Sequence, residues 1–248
     1  MTRRALPSAL ALALAATLAA PVVAQAMTVY AASSLRDAFP GLDKSPTYSF
    51  AGSNVLQLQI ERGAPADLFA SAEPKEAQIL YKEGLCEKPV TFATNTLVLL
   101  VPSANPGKVT SVYSLSSGGR RLAVGNAGVP IGGYTRSLLR RLRLSSVLQR
   151  NTVSQESNVA NITAKVALGS ADAGFAYVTD AKSVNDRTKA IALPRWAQPP
   201  VRYQACVVKR AGANTSAAEA YLQRVVSGQG RSVLKRFGFG LLPRAKKK

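Results

Sequence analysis

The chain has 248 residues, 47% of them apolar, enough for one large or two small domains around a real core. Its 32 Lys and Arg outnumber 13 Asp and Glu, a formal charge of +19, and there is no histidine at all. That composition excludes a Ser-His-Asp triad, and with only two cysteines it argues against a zinc site; no P-loop sequence is present to cradle a nucleotide.

In chain order, residues 1–26 read as a secretory leader. Arg3 and Arg4 form the basic start, Ala9 to Ala20 the apolar run, and Ala24-Gln25-Ala26 the small-residue cleavage site. Cleavage there removes two arginines and no acid, leaving +17 on an extracytoplasmic protein. The charge is scattered over Arg120-Arg121, Arg140-Arg141, Arg143, Lys209-Arg210 and the basic tail 244–248. With no nucleic-acid motif in the chain, it is expected to serve solubility or proximity to an anionic envelope, and no nucleic-acid partner is expected.

From Met27 onward, short apolar runs alternate with helical stretches, the pattern of an α/β fold with mostly parallel sheets. Strands are expected at 27–32, 47–51, 67–70, 97–101, 122–124, 174–178 and 201–208. Helices are expected at 35–42, 54–62, 73–83, 135–144, from Val159 to about Gly169, at 217–226 and at 231–237. Ser34 with Asp37 three residues on has the spacing of a capping box. Gly63 and Gly84 stand where helices stop. The economical architecture is two lobes joined by two crossings, near 100–103 and 198–204, so that residues 27–100 plus 203–243 form one lobe and 101–202 the other. Cys86 and Cys206 would meet an oxidising compartment, and the sequence leaves their pairing open.

Four places share one local pattern: a strand, a tight turn of small or hydroxyl residues, then the first turn of a helix. They are Val29 to Leu35, Ser49 to Val55, Val124 to Gly132 and Ser154 to Val159. A helix start presents free N–H groups and a partial positive charge, so several aimed at one cavity make an anion site that needs no Lys, Arg or His. Ser34 and Ser53 equally suit simple helix caps, and Tyr177 a core tyrosine. Paired carboxylates for acid–base work are scarce; Asp67, Asp172 and Asp180 read as turn or cap residues. An enzyme is not expected.

These segments resemble the periplasmic molybdate-binding proteins of ABC importers. The resemblance rests on Val29-Tyr30-Ala31-Ala32-Ser33-Ser34-Leu35, on Ser49 to Ser53 followed by Gln59 to Ala72, on Leu122 to Gly125 with Val129 to Tyr134, on Glu156 to Val159 with Gly174 to Tyr177, and on Leu234 to Phe239. It implies a two-lobed, type II periplasmic-binding-protein fold with the ligand in the interlobe cleft, no cofactor, a membrane permease as partner, a monomer, and molybdate or tungstate as cargo. It also implies roles: Ser34 and Ser53 as hydroxyl and backbone donors from the first lobe, Ile131 and Val159 as backbone donors from the second, and Tyr177 as a phenol donor. The molybdenum would be held only through its oxygens. The chain departs from the family pattern at Ile131, where a small residue is usual, and at Ala160, where a basic one is common. The alternative is a receptor for another small anion, such as sulfate, thiosulfate or a carboxylate.

Overall fold

The computed structural model describes residues 26–243; the leader, apart from Ala26, and the tail 244–248 lie outside the described residues. The chain begins β1 (Thr28–Ala32), a 3-10 turn (Ser33–Leu35), α1 (Ala38–Leu42), β2 (Thr47–Ala51), α2 (Ser53–Glu61), β3 (Leu68–Ser71), α3 (Pro74–Lys82) and β4 (Val90–Asn95). It continues with β5 (Leu97–Pro102), β6 (Leu122–Gly125), α4 (Pro130–Arg141), α5 (Ser146–Asn151), β7 (Thr152–Glu156), α6 (Val159–Ala167), β8 (Ala173–Tyr177), α7 (Val178–Ser183) and β9 (Thr188–Ala192). It ends with β10 (Val201–Val207), α8 (Thr215–Val226) and α9 (Gly228–Arg236).

Two five-stranded sheets result, in the orders β2-β1-β3-β10-β4 and β7-β6-β8-β5-β9. Each has three parallel strands, then an antiparallel strand, then an edge strand. The two orders are the same pattern, a repeat invisible in the sequence. The antiparallel strand of each sheet, β10 or β5, is the one that follows a crossing from the other lobe, so these sheets are mixed rather than mostly parallel. The chain first changes sheet at 95–97, ahead of the expected 100–103, because the apolar run Leu97–Pro102 is buried along its whole length as the strand between β8 and β9. The second crossing lies at 193–200. There the Gln198 side chain accepts from the Leu97 N–H at 3.0 Å and donates to the Leu97 carbonyl at 2.8 Å, tying the two crossings together.

The helix boundaries follow local chemistry. Pro74 and Pro130 occupy first helical positions, where a fixed φ fits and no N–H is missed, so α4 begins five residues before the expected Thr135. The expected cap at Ser34 is absent: the chain makes a 3-10 turn there, and neither Ala32 nor Asp37 makes a side-chain cap bond. The edge strands β4 and β9 were not expected from the sequence, since polar residues interrupt both. The C-terminal helices return to the first lobe, where Tyr221 packs edge-on against Phe39 with ring centres 5.6 Å apart.

Each lobe anchors a strand start with a buried carboxylate. In the first, Asp67 accepts from the Thr28 N–H (2.8 Å), the Asn214 N–H (2.9 Å) and Arg210 Nη2 (2.6 Å). In the second, Asp172 accepts from the Arg121 N–H (2.8 Å) and Arg121 Nη2 (2.7 Å). Burial pushes the Asp172 pKa up, but the bonds from Arg121 outweigh it and hold the carboxyl below its usual range. Cys86 and Cys206 form a disulfide, Cα atoms 5.9 Å apart, joining the segment after α3 to β10 within the first lobe.

Candidate functional site

All four strand-to-helix turns lie at the carboxyl ends of parallel strands and face the cleft between the lobes, the position such sheets offer a ligand. β1 and β2 of the first lobe meet β6 and β7 of the second across a small cavity of about 20 Å³. Its walls include Ser33, Gly52 and Ser53 from one side and Ile131, Val159 and Tyr177 from the other. That volume suits a compact ion.

Beside the cavity the lobes approach through backbone. A Cβ on Gly52 would stand 2.3 Å from the Ser157 carbonyl oxygen and 3.3 Å from Val129 Cγ1, both across the cleft. Only glycine lets the lobes come this close.

Four of the five residues expected at the site gather here. Ser53 opens α2 and is 1% exposed; its Oγ accepts the Ala72 N–H at 3.1 Å, which leaves its own proton free to donate. Ile131 and Val159 stand in the first turns of α4 and α6. The N–H groups of Ser53, Ile131 and Val159 make no hydrogen bond among the described residues, since none has a carbonyl one turn back. The Asn158 side chain caps α6 by accepting the Asn161 N–H at 3.0 Å, so that cap spends a donor deeper in the helix and leaves the Val159 N–H for the cavity. Ile131, the bulky departure from the family pattern, turns its Cγ2 onto the backbone of Gly125, where an added Cβ would meet it at 2.8 Å.

Tyr177 ends β8. Its hydroxyl is buried and has no hydrogen-bond partner among the described residues, a costly state for a phenol in a packed interior. Burial first, then the neighbouring Tyr203 and Tyr134, push its pKa well above the usual tyrosine value, so it stays a neutral donor. Its ring packs edge-on against Tyr134 and Tyr203, with centres 6.4 and 6.1 Å away.

Ser34 stands apart from these four. Its Oγ lies 2.8 Å from the Tyr203 hydroxyl, and it lines a wider part of the cleft, about 350 Å³, that meets the small cavity at Ser33. Sequence reasoning passed over Ser33, Gly52, Asn95 and Tyr203. The Ser33-Ser34 doublet was a visible signal for the first. The other three act through contacts 100 or more residues away in the chain, or across the cleft, and carry no local signature.

Two α/β lobes of matching topology, joined by two crossings and meeting at a small cavity of converging N–H and hydroxyl groups, define a two-lobed binding protein. The model of the bacterial extracellular solute-binding protein family matches residues 10–240. A molybdate-binding protein ModA of Mycobacterium tuberculosis is 34% identical over 228 residues, covering 87% of this chain and 85% of the relative. The Escherichia coli ModA is 32% identical, covering 86% and 88%. Among solved structures, the Azotobacter vinelandii periplasmic molybdate-binding protein aligns with a TM-score of 0.76 at 24% identity, covering 88% of this chain and all of that one. The sulfate-binding protein SubI of Mycobacterium tuberculosis reaches 0.73 at 14% identity and covers 88% and 87%, a likeness of fold alone. The chain belongs to the bacterial extracellular solute-binding proteins, and within them to the family of the molybdate-binding proteins.

Proposed function

We propose that this protein captures molybdate outside the cytoplasm and delivers it to the membrane permease of an ABC importer. It is a binding protein rather than an enzyme, as its ModA relatives are, and molybdate is cargo rather than cofactor. The observation that carries the reading is the Tyr177 hydroxyl, buried without a partner among the described residues in the wall of a small interlobe cavity where the free N–H groups of Ser53, Ile131 and Val159 also stand.

The chemistry follows from the donor set. A fully ionised tetrahedral oxyanion offers only acceptors, and it meets three N–H groups that can only donate and a phenol that can donate. Each charge-assisted bond contributes about 1.5–3 kcal/mol. No cation is needed, because the helix starts bring partial positive charge to the dianion. A protonated phosphate needs an acceptor in this shell and is disfavoured. Sulfate carries the same charge in a smaller tetrahedron, so size must reject it. Tungstate, nearly equal in size to molybdate, binds as well. Closure of the lobes sheds water from the ion and presents one shape to the permease. Residues 1–26 act as the export leader, and the protein works as a monomer without nucleic acid.

Calorimetric titration of residues 27–248 with molybdate, repeated in excess sulfate and phosphate, tests this. One-to-one binding at micromolar or tighter that survives both competitors is the expected result. Displacement by sulfate makes the protein a general oxyanion receptor, and failure to bind molybdate removes the assignment.

A further inference from the structure

Beneath the anion cavity lies a hydrogen-bond chain that crosses from one lobe to the other. Asn95, the last residue of β4, accepts the Thr96 N–H on Oδ1 at 2.9 Å. That bond fixes which way the amide faces, since the flipped amide would set two donors against each other. Its Nδ2 therefore donates both protons outward, one to Thr179 Oγ1 at 2.9 Å in the second lobe, the other to the Tyr203 hydroxyl at 3.2 Å in the first. Thr179 in turn can donate to Asp180 Oδ2 at 3.4 Å.

The Tyr203 phenol has one proton to place. Nδ2 of Asn95 has no lone pair to offer, so among the described residues the acceptor it meets is Ser34 Oγ, 2.8 Å away. Tyr203 is fully buried, and burial together with the nearby Asp180 keeps its pKa far above the ordinary value, so the proton is always present. Ser34 Oγ must then accept, and its own proton is left to point elsewhere. Ser34 keeps 8% of its surface, on the cleft.

We propose that Asn95 and Tyr203 are positioning residues that hold the Ser34 hydroxyl as a donor toward the anion. The proposal rests on the molybdate reading above and on the contact with the oxyanion that the family resemblance implies for Ser34. An isolated serine hydroxyl rotates and can accept as well as donate. Held by this chain, one lone pair is filled by Tyr203 and the proton is turned away from it, free for the ligand, which favours an oxyanion with no proton of its own. Ser53 reaches the same condition by a different route, its oxygen being occupied by the Ala72 N–H.

A double-mutant cycle between Tyr203→Phe and Ser34→Ala, read by molybdate and phosphate titration, tests the proposal. Tyr203→Phe alone is expected to weaken molybdate about tenfold and to narrow the preference for molybdate over hydrogen phosphate. On a Ser34→Ala background it is expected to add less than about twofold. Equal losses on both backgrounds would make Tyr203 a packing residue and overturn the proposal. Asn95→Ala, which leaves the Tyr203 ring in place, supplies a second variant and should show the same dependence on Ser34. A neutron structure of the ligand-free protein reads the proton directly. A deuterium on the Tyr203 oxygen facing Ser34 supports the relay whatever the ligand proves to be, and one on Ser34 facing Tyr203 removes it. Absence of molybdate binding by the parent protein would instead sink the ligand assignment and leave the neutron result standing.

Discussion

The two lobes share a strand order but bring different chemistry to the cleft. The first lobe offers side chains: the hydroxyls of Ser33, Ser34 and Ser53, with Tyr203 behind them. The second offers mostly backbone, at turns whose residues are apolar, Val129-Pro130-Ile131 and Val159, and adds a single phenol, Tyr177. A donor made from backbone is indifferent to its side chain; a hydroxyl donor is lost with one atom. The same anion shell should therefore be fragile to ordinary substitution on one side and robust on the other.

Gly52 is where the comparison breaks most severely, because it belongs to the contact between the lobes rather than to either set of donors. Gly52→Ala places a Cβ where the Ser157 carbonyl stands. The expected outcome is loss of closure, with molybdate affinity falling by more than about a hundredfold while the melting temperature of the ligand-free protein stays near that of the parent. Small-angle scattering should report an open form even with ligand in excess. A closed, tight-binding Gly52→Ala protein would contradict the geometry.

A smaller effect sharpens the contrast between side-chain and backbone donors. Ile131→Ala keeps the N–H and should change affinity less than about threefold, whereas Ile131→Pro removes the N–H at a helix position that tolerates proline and should cost about ten- to a hundredfold. In the first lobe the simple truncation Ser53→Ala should already cost that much. Equal sensitivity of Ile131→Ala and Ser53→Ala would mean that the lobes do not divide the work this way.

The mildest expectation concerns stability. Each lobe buries one carboxyl with no cation beside it. In the first, burial and then the charge of Glu73 push Glu76 up to about 8, its Oε2 accepting from Ser71 Oγ at 3.0 Å. In the second, burial and then the charge of Asp37, set against local hydrogen bonds, bring Asp180 up to about 7. Both folded values lie above the unfolded ones of 4.5 and 3.8, so the native state holds more protons than the unfolded chain across that window. Unfolding free energy should therefore fall as pH rises from about 4 to about 8. Denaturant titrations across that range should show the decline, and Glu76→Gln and Asp180→Asn should each flatten part of it. A stability that rises over the window would contradict both assignments.

Much of this was legible in the sequence because the signals are local. Alternation of apolar runs with helical periods gave the α/β class, and the turn residues before Ser53, Ile131 and Val159 marked helix starts that line one interlobe cavity. The capping box suggested at Ser34 does not form, because Ser three residues before Asp carries that spacing whether or not the box forms. Its real partner, Tyr203, is 169 residues away. The expected lobe boundary at 100–101 cuts through the strand Leu97–Pro102 for a similar reason: an unbroken apolar run says that a strand is buried, not which sheet buries it.

The sequence by itself determined which backbone segments start helices and which residues could donate, since capping, periodicity and hydroxyl chemistry act over a few residues. Tertiary structure alone decided that two sheets repeat one order, that Cys86 and Cys206 meet, that Gly52 must yield to Ser157, and which way the Ser34 hydroxyl points. Those depend on approach between parts far apart in the chain, where packing and hydrogen-bond direction, not local preference, select the arrangement.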